Sequence, residues 1–194
     1  GCNSLGLHHL YAQGGHPQSN AKAIAYFTKG CNGSDAYACT NLGYMYWRGL
    51  GVPKDLVKMV GFYTKGCSGG DGTGCYDLGV QYEKGEGVPL DYGLAMTSYR
   101  DGCTKGSTSA CLSAGVLYES GYTALGYTYR RDSVNAASYY QKACDGAKVA
   151  ACTKLGVLYD RGDGVTMDPA QAKRLYKKAC DGGDQEGCTA LAAR

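Results

Sequence analysis

Five cysteine pairs recur along this chain with seven residues between the members of each: Cys31/Cys39, Cys67/Cys75, Cys103/Cys111, Cys144/Cys152 and Cys180/Cys188. Measured between first members, the period is 36, 36, 41 and 36 residues, and a fixed period of this size marks a protein built by stacking one supersecondary unit. One such unit cannot bury its own apolar face, so the pattern predicts a solenoid in which each repeat is covered by its neighbours. We read the whole of residues 1–194 as a single repeat domain, with repeats over about 1–31, 32–67, 68–103, 104–144 and 145–180 and the start of a sixth over 181–194.

The spacing also narrows what the cysteines do. Zinc sites favour two to four residues between ligands, with a second pair or histidines close by. Here every gap is seven, no Cys-x-x-Cys occurs, and the three histidines His8, His9 and His16 lie together at one end. Disulfides fit the regular even pairing better than metal ligands or free thiols, which predicts an oxidising compartment, periplasmic or secreted. Cys2 is left unpaired, because its register partner would lie before residue 1, and the chain therefore reads as part of a longer array.

The net charge of +3, from 20 basic and 17 acidic residues, is too evenly balanced for a nucleic-acid partner, which needs a concentrated basic face. No run of 18 apolar residues is present, so no membrane insertion is expected. The 31 glycines act as punctuation between short elements.

Aligned on the second cysteine of each pair, the chain reads Leu42-Gly43-x-x-Tyr46, Leu78-Gly79-x-x-Tyr82, Ala114-Gly115-x-x-Tyr118 and Leu155-Gly156-x-x-Tyr159. Residues four apart share one helical face, which defines a helix A in each repeat. A glycine inside a helix costs about 1 kcal/mol against alanine, so its recurrence predicts a neighbouring helix too close for a side chain. Helix A should end at Gly49, Gly85, Gly121 and Gly162 in left-handed caps. A second segment, helix B, carries Tyr63, Tyr99, Tyr140 and Tyr176 four residues before a cysteine, with Met59, Ala95, Ala136 and Ala172 a further four before those. Asp55, Asp91 and Asp168 suit its N-terminus, and Lys65, Lys142, Lys177 and Lys178 its C-terminus. Each disulfide would then clamp the last turn of helix B to the first turn of the next helix A.

Leu-Gly-x-x-Tyr, then Gly-x-Gly-Val, an acidic residue and Tyr-x-Lys-Ala-Cys, as in Tyr140 to Cys144 and Tyr176 to Cys180, resembles Sel1-like repeats. With cysteines paired at this spacing, the chain resembles the Helicobacter cysteine-rich protein family. That resemblance implies an all-α fold, a right-handed superhelical α/α solenoid of TPR-like helix pairs stapled by disulfides, working as an adaptor. Cysteine-rich Sel1-like proteins of the mitochondrial intermembrane space make that compartment the alternative location. Two departures stand out: repeat one has an extra residue and His9 in place of the tyrosine, and repeat four carries five additional residues between Gly121 and Arg131.

A stack of helix pairs presents an extended concave face lined by helix A. The expected function is a non-enzymatic protein or peptide binding scaffold, acting as a monomer and needing no cofactor or metal. The groove candidates are Asn41, Asp77, Ser113 and Lys154, and the cations Arg48, Lys84 and Arg161, which suit an acidic segment or a C-terminal carboxylate, or else only complement their helix ends. Tyr122, Tyr127, Tyr129, Arg130 and Arg131 in the repeat-four insertion have the composition of a binding hot spot, and Trp47 is an anchor candidate.

The runner-up is penicillin-binding, β-lactamase-like or cell-wall-fragment-binding activity, implied by the same resemblance. Serine β-lactam chemistry needs Ser-x-x-Lys with Ser-Asp-Asn and Lys-Thr-Gly elements. Only Ser19-Asn-Ala-Lys22 matches the first, the other two are missing, and no catalytic residue is assigned. A further alternative is a spacer whose array carries no binding role of its own.

Overall fold

A computed structural model describes residues 1–124 and 127–193, with the backbone alone at residues 123, 124 and 127. The helices fall into two compact units, Gly1–Gly106 and Ser107–Arg194. The first contains α1 (Cys2–Tyr11), α2 (Asn20–Asn32), α3 (Ala36–Arg48), α4 (Leu56–Ser68), α5 (Gly72–Lys84) and α6 (Tyr92–Thr104). The second contains α7 (Thr108–Ser120), strands β1 (Tyr122–Ala124) and β2 (Tyr127–Tyr129), α8 (Ser133–Asp145), α9 (Val149–Arg161), α10 (Pro169–Asp181) and α11 (Gln185–Ala192). In the first unit α1–α2, α3–α4 and α5–α6 are A–B pairs, with α3 also packed on α1 and α5; in the second α7–α8 and α9–α10 pair and α11 packs on α9 and α10.

Short polar side chains start these helices. Asp55, Asp91 and Asp168 each accept a backbone N–H three residues on, as the sequence predicts. Ser19, Asp35, Ser107, Asp132 and Asp184 do the same for other helices, and Asp71 accepts from Thr73 N, two residues on. Such a cap contributes about 1 kcal/mol. Ser19 Oγ accepts from Lys22 N at 3.3 Å, so Ser19-x-x-Lys22 works as a helix start in this fold.

One backbone bond closes every A–B hairpin. The cap residue of helix B donates its N–H to the carbonyl of the core tyrosine of helix A: Asp55 to Tyr46 at 3.1 Å, Asp91 to Tyr82 at 2.9 Å, Asp132 to Tyr118 at 2.8 Å and Asp168 to Tyr159 at 2.9 Å. In repeat one Ser19 donates to His9 at 2.8 Å. The donor lies nine residues beyond the acceptor in three repeats, ten in repeat one and fourteen in repeat four. Both departures from the repeat are therefore absorbed inside a loop whose ends stay tied.

The glycine inside helix A is a seat for an aromatic ring. An ideal Cβ at Gly43 would lie 2.7 Å from Tyr63, at Gly79 2.5 Å from Tyr99, at Gly115 2.6 Å from Tyr140, and at Gly156 2.7 Å from Tyr176. Gly6 carries Phe27 in the same way, at 2.4 Å. These rings are buried and knit the pairs together. Phe27, Leu42 and Met45 centre one apolar cluster of the first unit, and Met59, Tyr63 and Leu78 the next.

Gly49, Gly85 and Gly162 are left-handed caps as expected. Gly121 differs, with φ 65° and ψ 170°, because the chain turns there into the antiparallel ribbon β1–β2, whose register pairs Tyr122 with Tyr129. Disulfides join Cys31 to Cys39, Cys67 to Cys75, Cys144 to Cys152 and Cys180 to Cys188 across Cα separations of 4.6, 4.4, 4.8 and 4.4 Å. Cys103 and Cys111 are also half-cystines, and Cys2 is free. Among the described residues no helix is long and apolar enough to cross a membrane.

Candidate functional site

The rings seated on the glycines carry hydroxyls, and a buried hydroxyl needs a partner. Tyr140 donates to Glu119 at 2.5 Å, Tyr176 to Asp160 at 2.7 Å, and Tyr99 to Glu83. Each acid lies four residues beyond the seat glycine, one helical turn further along helix A. In repeat one the ring is Phe27 and the acid position is Leu10, so donor and acceptor disappear together. This pairing was open to sequence inspection through the fixed offset and was not among the expectations above.

Repeat two breaks the pattern. Tyr63 keeps its hydroxyl, but the acid position of α3 is Trp47. The indole is half-buried, 5.9 Å from the ring of Tyr44, with the Arg48 guanidinium 5.4 Å above it. Burial, reinforced by the charge of Asp77 on the next A helix, pushes the Tyr63 hydroxyl further from ionisation.

In the first unit, Tyr37, Asn41, Tyr44 and Arg48 form one stripe of α3, and Thr73, Asp77, Val80 and Lys84 the matching stripe of the adjacent α5. Tyr37 is 60% exposed, and Arg48 and Lys84 are exposed at the last helical position, Arg48 over the Trp47 ring. Asn41 is engaged: its side-chain amide donates to Asn3 at 2.8 Å. Asp77 is largely enclosed, and among the described residues none hydrogen-bonds or ion-pairs with its carboxylate. Burial, reinforced by the nearby Asp71, raises its pKa to about 7.

That shift carries a pH prediction. The folded chain holds a proton on Asp77 that the unfolded chain releases near 4, so this group's stabilisation is complete at low pH and is lost as pH rises from about 4 through 7. Asp77→Asn, which copies Asn41 of the preceding repeat, should flatten this slope. It should raise stability at pH 8 by on the order of 2 kcal/mol, less than the full shift implies because solvent still reaches the group. Urea unfolding of both forms at pH 4.5 and pH 8 measures it, and equal stability differences at the two pH values would refute it.

In the second unit Ser113 and Lys154 are half-buried on α7 and α9, and Arg161 is exposed at the end of α9. The ribbon stacks Tyr122 on Tyr129 at 4.4 Å. Arg131 bonds Asp163 at 2.7 Å and Ser133 at 3.0 Å, tethering the insertion to the next turn. Arg130 and Tyr129 remain exposed, while the side chain of Tyr127 lies outside the described residues.

The histidines gather around repeat one, with the His16 ring 5.7 Å from His8 and 4.8 Å from His9. His9 is buried, stacks on Tyr26 at 5.6 Å and meets the Pro17 carbonyl at 3.2 Å, so it fills the place of the core tyrosine. Among the described residues no group of three or more His, Cys, Asp or Glu is arranged to hold a metal ion.

The Sel1 repeat pattern matches residues 1–35, 36–71, 73–97, 108–147 and 149–184. The chain belongs to the Sel1 repeat family. Among solved structures, a protective antigen of uropathogenic Escherichia coli strains displaying an SLR fold is 27% identical over 99% of this chain, with a TM-score of 0.88. A Sel1 repeat protein from Oxalobacter formigenes is 26% identical over 99% of the chain, with a TM-score of 0.85. Helicobacter pylori cysteine rich protein B is 24% identical over 90% of the chain, with a TM-score of 0.32, and this chain covers 96% of it. The chain spans 40% of the E. coli antigen and 76% of the Oxalobacter protein. No curated protein sequence matches it. Sel1 repeats are commonly protein-interaction scaffolds, and the fold and the disulfides agree with the sequence expectation.

Proposed function

We propose that this Sel1 chain is a disulfide-stapled scaffold of the periplasm or the secreted space, which binds a polypeptide segment on the helix A face of its first unit. The observation that carries this reading is the surface of α3 and α5. There an exposed Tyr37 opens α3, a half-exposed Trp47 with the Arg48 guanidinium over its ring closes it, and Lys84 holds the equivalent end of α5, residue types enriched at protein interfaces. Arg48 and Lys84 suit a carboxylate of the bound segment, an acidic side chain or a C-terminus. Arg161 holds the same position in the second unit, but Val157 and Asp160 there replace the aromatic Tyr44 and Trp47.

Hydrolysis of β-lactams has less behind it. The hydroxyl of Ser19 is committed to the α2 cap, and Lys22 contributes its backbone N–H to that bond. Affinity capture from periplasmic or secreted extract, run beside a nitrocefin assay, tests both readings. The expected result is a partner retained by the intact chain, reduced at least tenfold by Trp47→Ala with Arg48→Ala and Lys84→Ala, and no turnover. Turnover lost on Ser19→Ala, with no partner retained, would replace the scaffold reading with the enzyme.

A further inference from the structure

Five residues after the cap of each helix B stand Ile24, Val60, Met96, Ala137 and Lys173. Ile24 and Val60 belong to the apolar clusters of the first unit, and Met96 is buried as they are. Ala137 is equally buried but is the smallest of the five, and it lines a cleft of about 190 Å³ in the second unit. The other walls are Gln141 of α8, Leu155 and Tyr159 of α9 and Val165 of the following turn, with Val134, 65% exposed, at the rim. Gly164 holds that turn against the start of α8, since a Cβ there would lie 2.2 Å from the Ser133 backbone. A small residue at this position occurs in repeat four alone. The space is too small for a whole small-molecule ligand, which takes roughly 300 Å³ or more, and suits a single large apolar side chain.

The insertion of repeat four ends beside this cleft. Arg131 is bonded to Asp163 and Ser133, so the chain enters α8 along the cleft's edge. Arg130 is exposed, and no ion pair among the described residues engages it. Four residues separate it from Val134, at most about 14 Å of chain. Tyr129, which precedes it, is 49% exposed. An apolar pocket bordered by a tyrosine and an unpaired arginine has the make-up of an interface anchor. We infer that the cleft receives one leucine, methionine or phenylalanine side chain of a partner polypeptide, in which an acidic residue a few positions away pairs with Arg130. Burial of the apolar side chain supplies the attraction, and the charge pair sets the direction of the bound segment. The site lies wholly in the second unit and does not depend on the α3 and α5 face proposed above.

The probe is a displayed library of random nonapeptides, selected on the oxidised chain. Binders are expected to share one large apolar residue with an acidic residue within four positions of it. Ala137→Met, which restores the side chain of repeat three, should weaken them at least tenfold while Tm stays the same or rises, because the change fills a void. Val134→Asp at the exposed rim should weaken them as much, and it keeps the test decisive if methionine disturbs the packing. Arg130→Ala should cost threefold or more. The same peptides should bind the variant combining Trp47→Ala, Arg48→Ala and Lys84→Ala as tightly as the intact chain. Peptides lost in that triple variant but indifferent to Ala137→Met and Val134→Asp overturn this inference and support the face of the first unit. A selection that returns no peptide sensitive to Ala137→Met or Val134→Asp overturns it as well.

Discussion

Reduction of the disulfides is expected to unfold this protein at temperatures where the oxidised form is stable. Each bridge closes a ring of nine residues, for which the chain-entropy relation gives about 2.6 kcal/mol. Four such bridges sum to roughly 10 kcal/mol, as large as the whole net stability of a typical domain. The bridges also sit where they are most needed. The B-to-A turns contain only a few residues, and adjacent repeats of the first unit meet through small groups, Gly30 against Ala38 and Gly69 against Ala36. Circular dichroism during a thermal scan, with and without a strong thiol reductant, reads the effect as a fall in Tm of more than 20 °C. A single-bridge variant, Cys67→Ala with Cys75→Ala, should fall by a fraction of that. A reduced chain melting within a few degrees of the oxidised one would show that packing alone holds the repeats.

Two glycine-to-alanine changes, both inside helices, are expected to have opposite signs. Gly79→Ala on α5 drives a methyl group to 2.5 Å from the Tyr99 ring, and that ring cannot retreat while its hydroxyl is held by Glu83. A cost of about 2–3 kcal/mol follows from overpacking, partly offset by the better helix propensity of alanine. Gly61→Ala on α4 meets nothing within 4 Å, and should stabilise the chain by about 0.5–1 kcal/mol. Urea midpoints for the two variants make the comparison internal to one protein. Destabilisation by both changes, or by neither, would refute the account of the glycine as a ring seat.

The cysteine period, the Leu-Gly-x-x-Tyr run and the Gly-x-Gly turns carry the repeat architecture openly, because each is a local demand repeated at a fixed interval. Gly85 and Gly87 illustrate it. The first has φ 70° as a helix cap, and the second, at φ 77°, passes so close to the Leu56 carbonyl that a Cβ would lie 2.5 Å away. The tyrosine–acid pairs were equally legible through their offset. The ribbon in repeat four, which pairs Tyr122 with Tyr129, was not, since the five inserted residues have no counterpart in any other repeat. The candidate site was legible in part. Asp77 and Lys84 on α5 and Arg48 on α3 could be placed on matching helix faces by periodicity, but Asn41 could not be sorted from them, because its partner Asn3 lies on α1.

The sequence by itself determined the helix pairs, their caps, the disulfide framework and the family, all of which follow from interactions between residues close along the chain or repeated at one period. Tertiary structure decided which polar groups are still available. Glu83, Glu119 and Asp160 look like solvent-facing acids in the sequence and are occupied by tyrosines from the partner helix. Asp77 looks no different from them, yet among the described residues no donor reaches its carboxylate, and burial raises its pKa to about 7. Burial and proximity across helices set the free energy of a charge, and neither is encoded at a fixed distance along the chain.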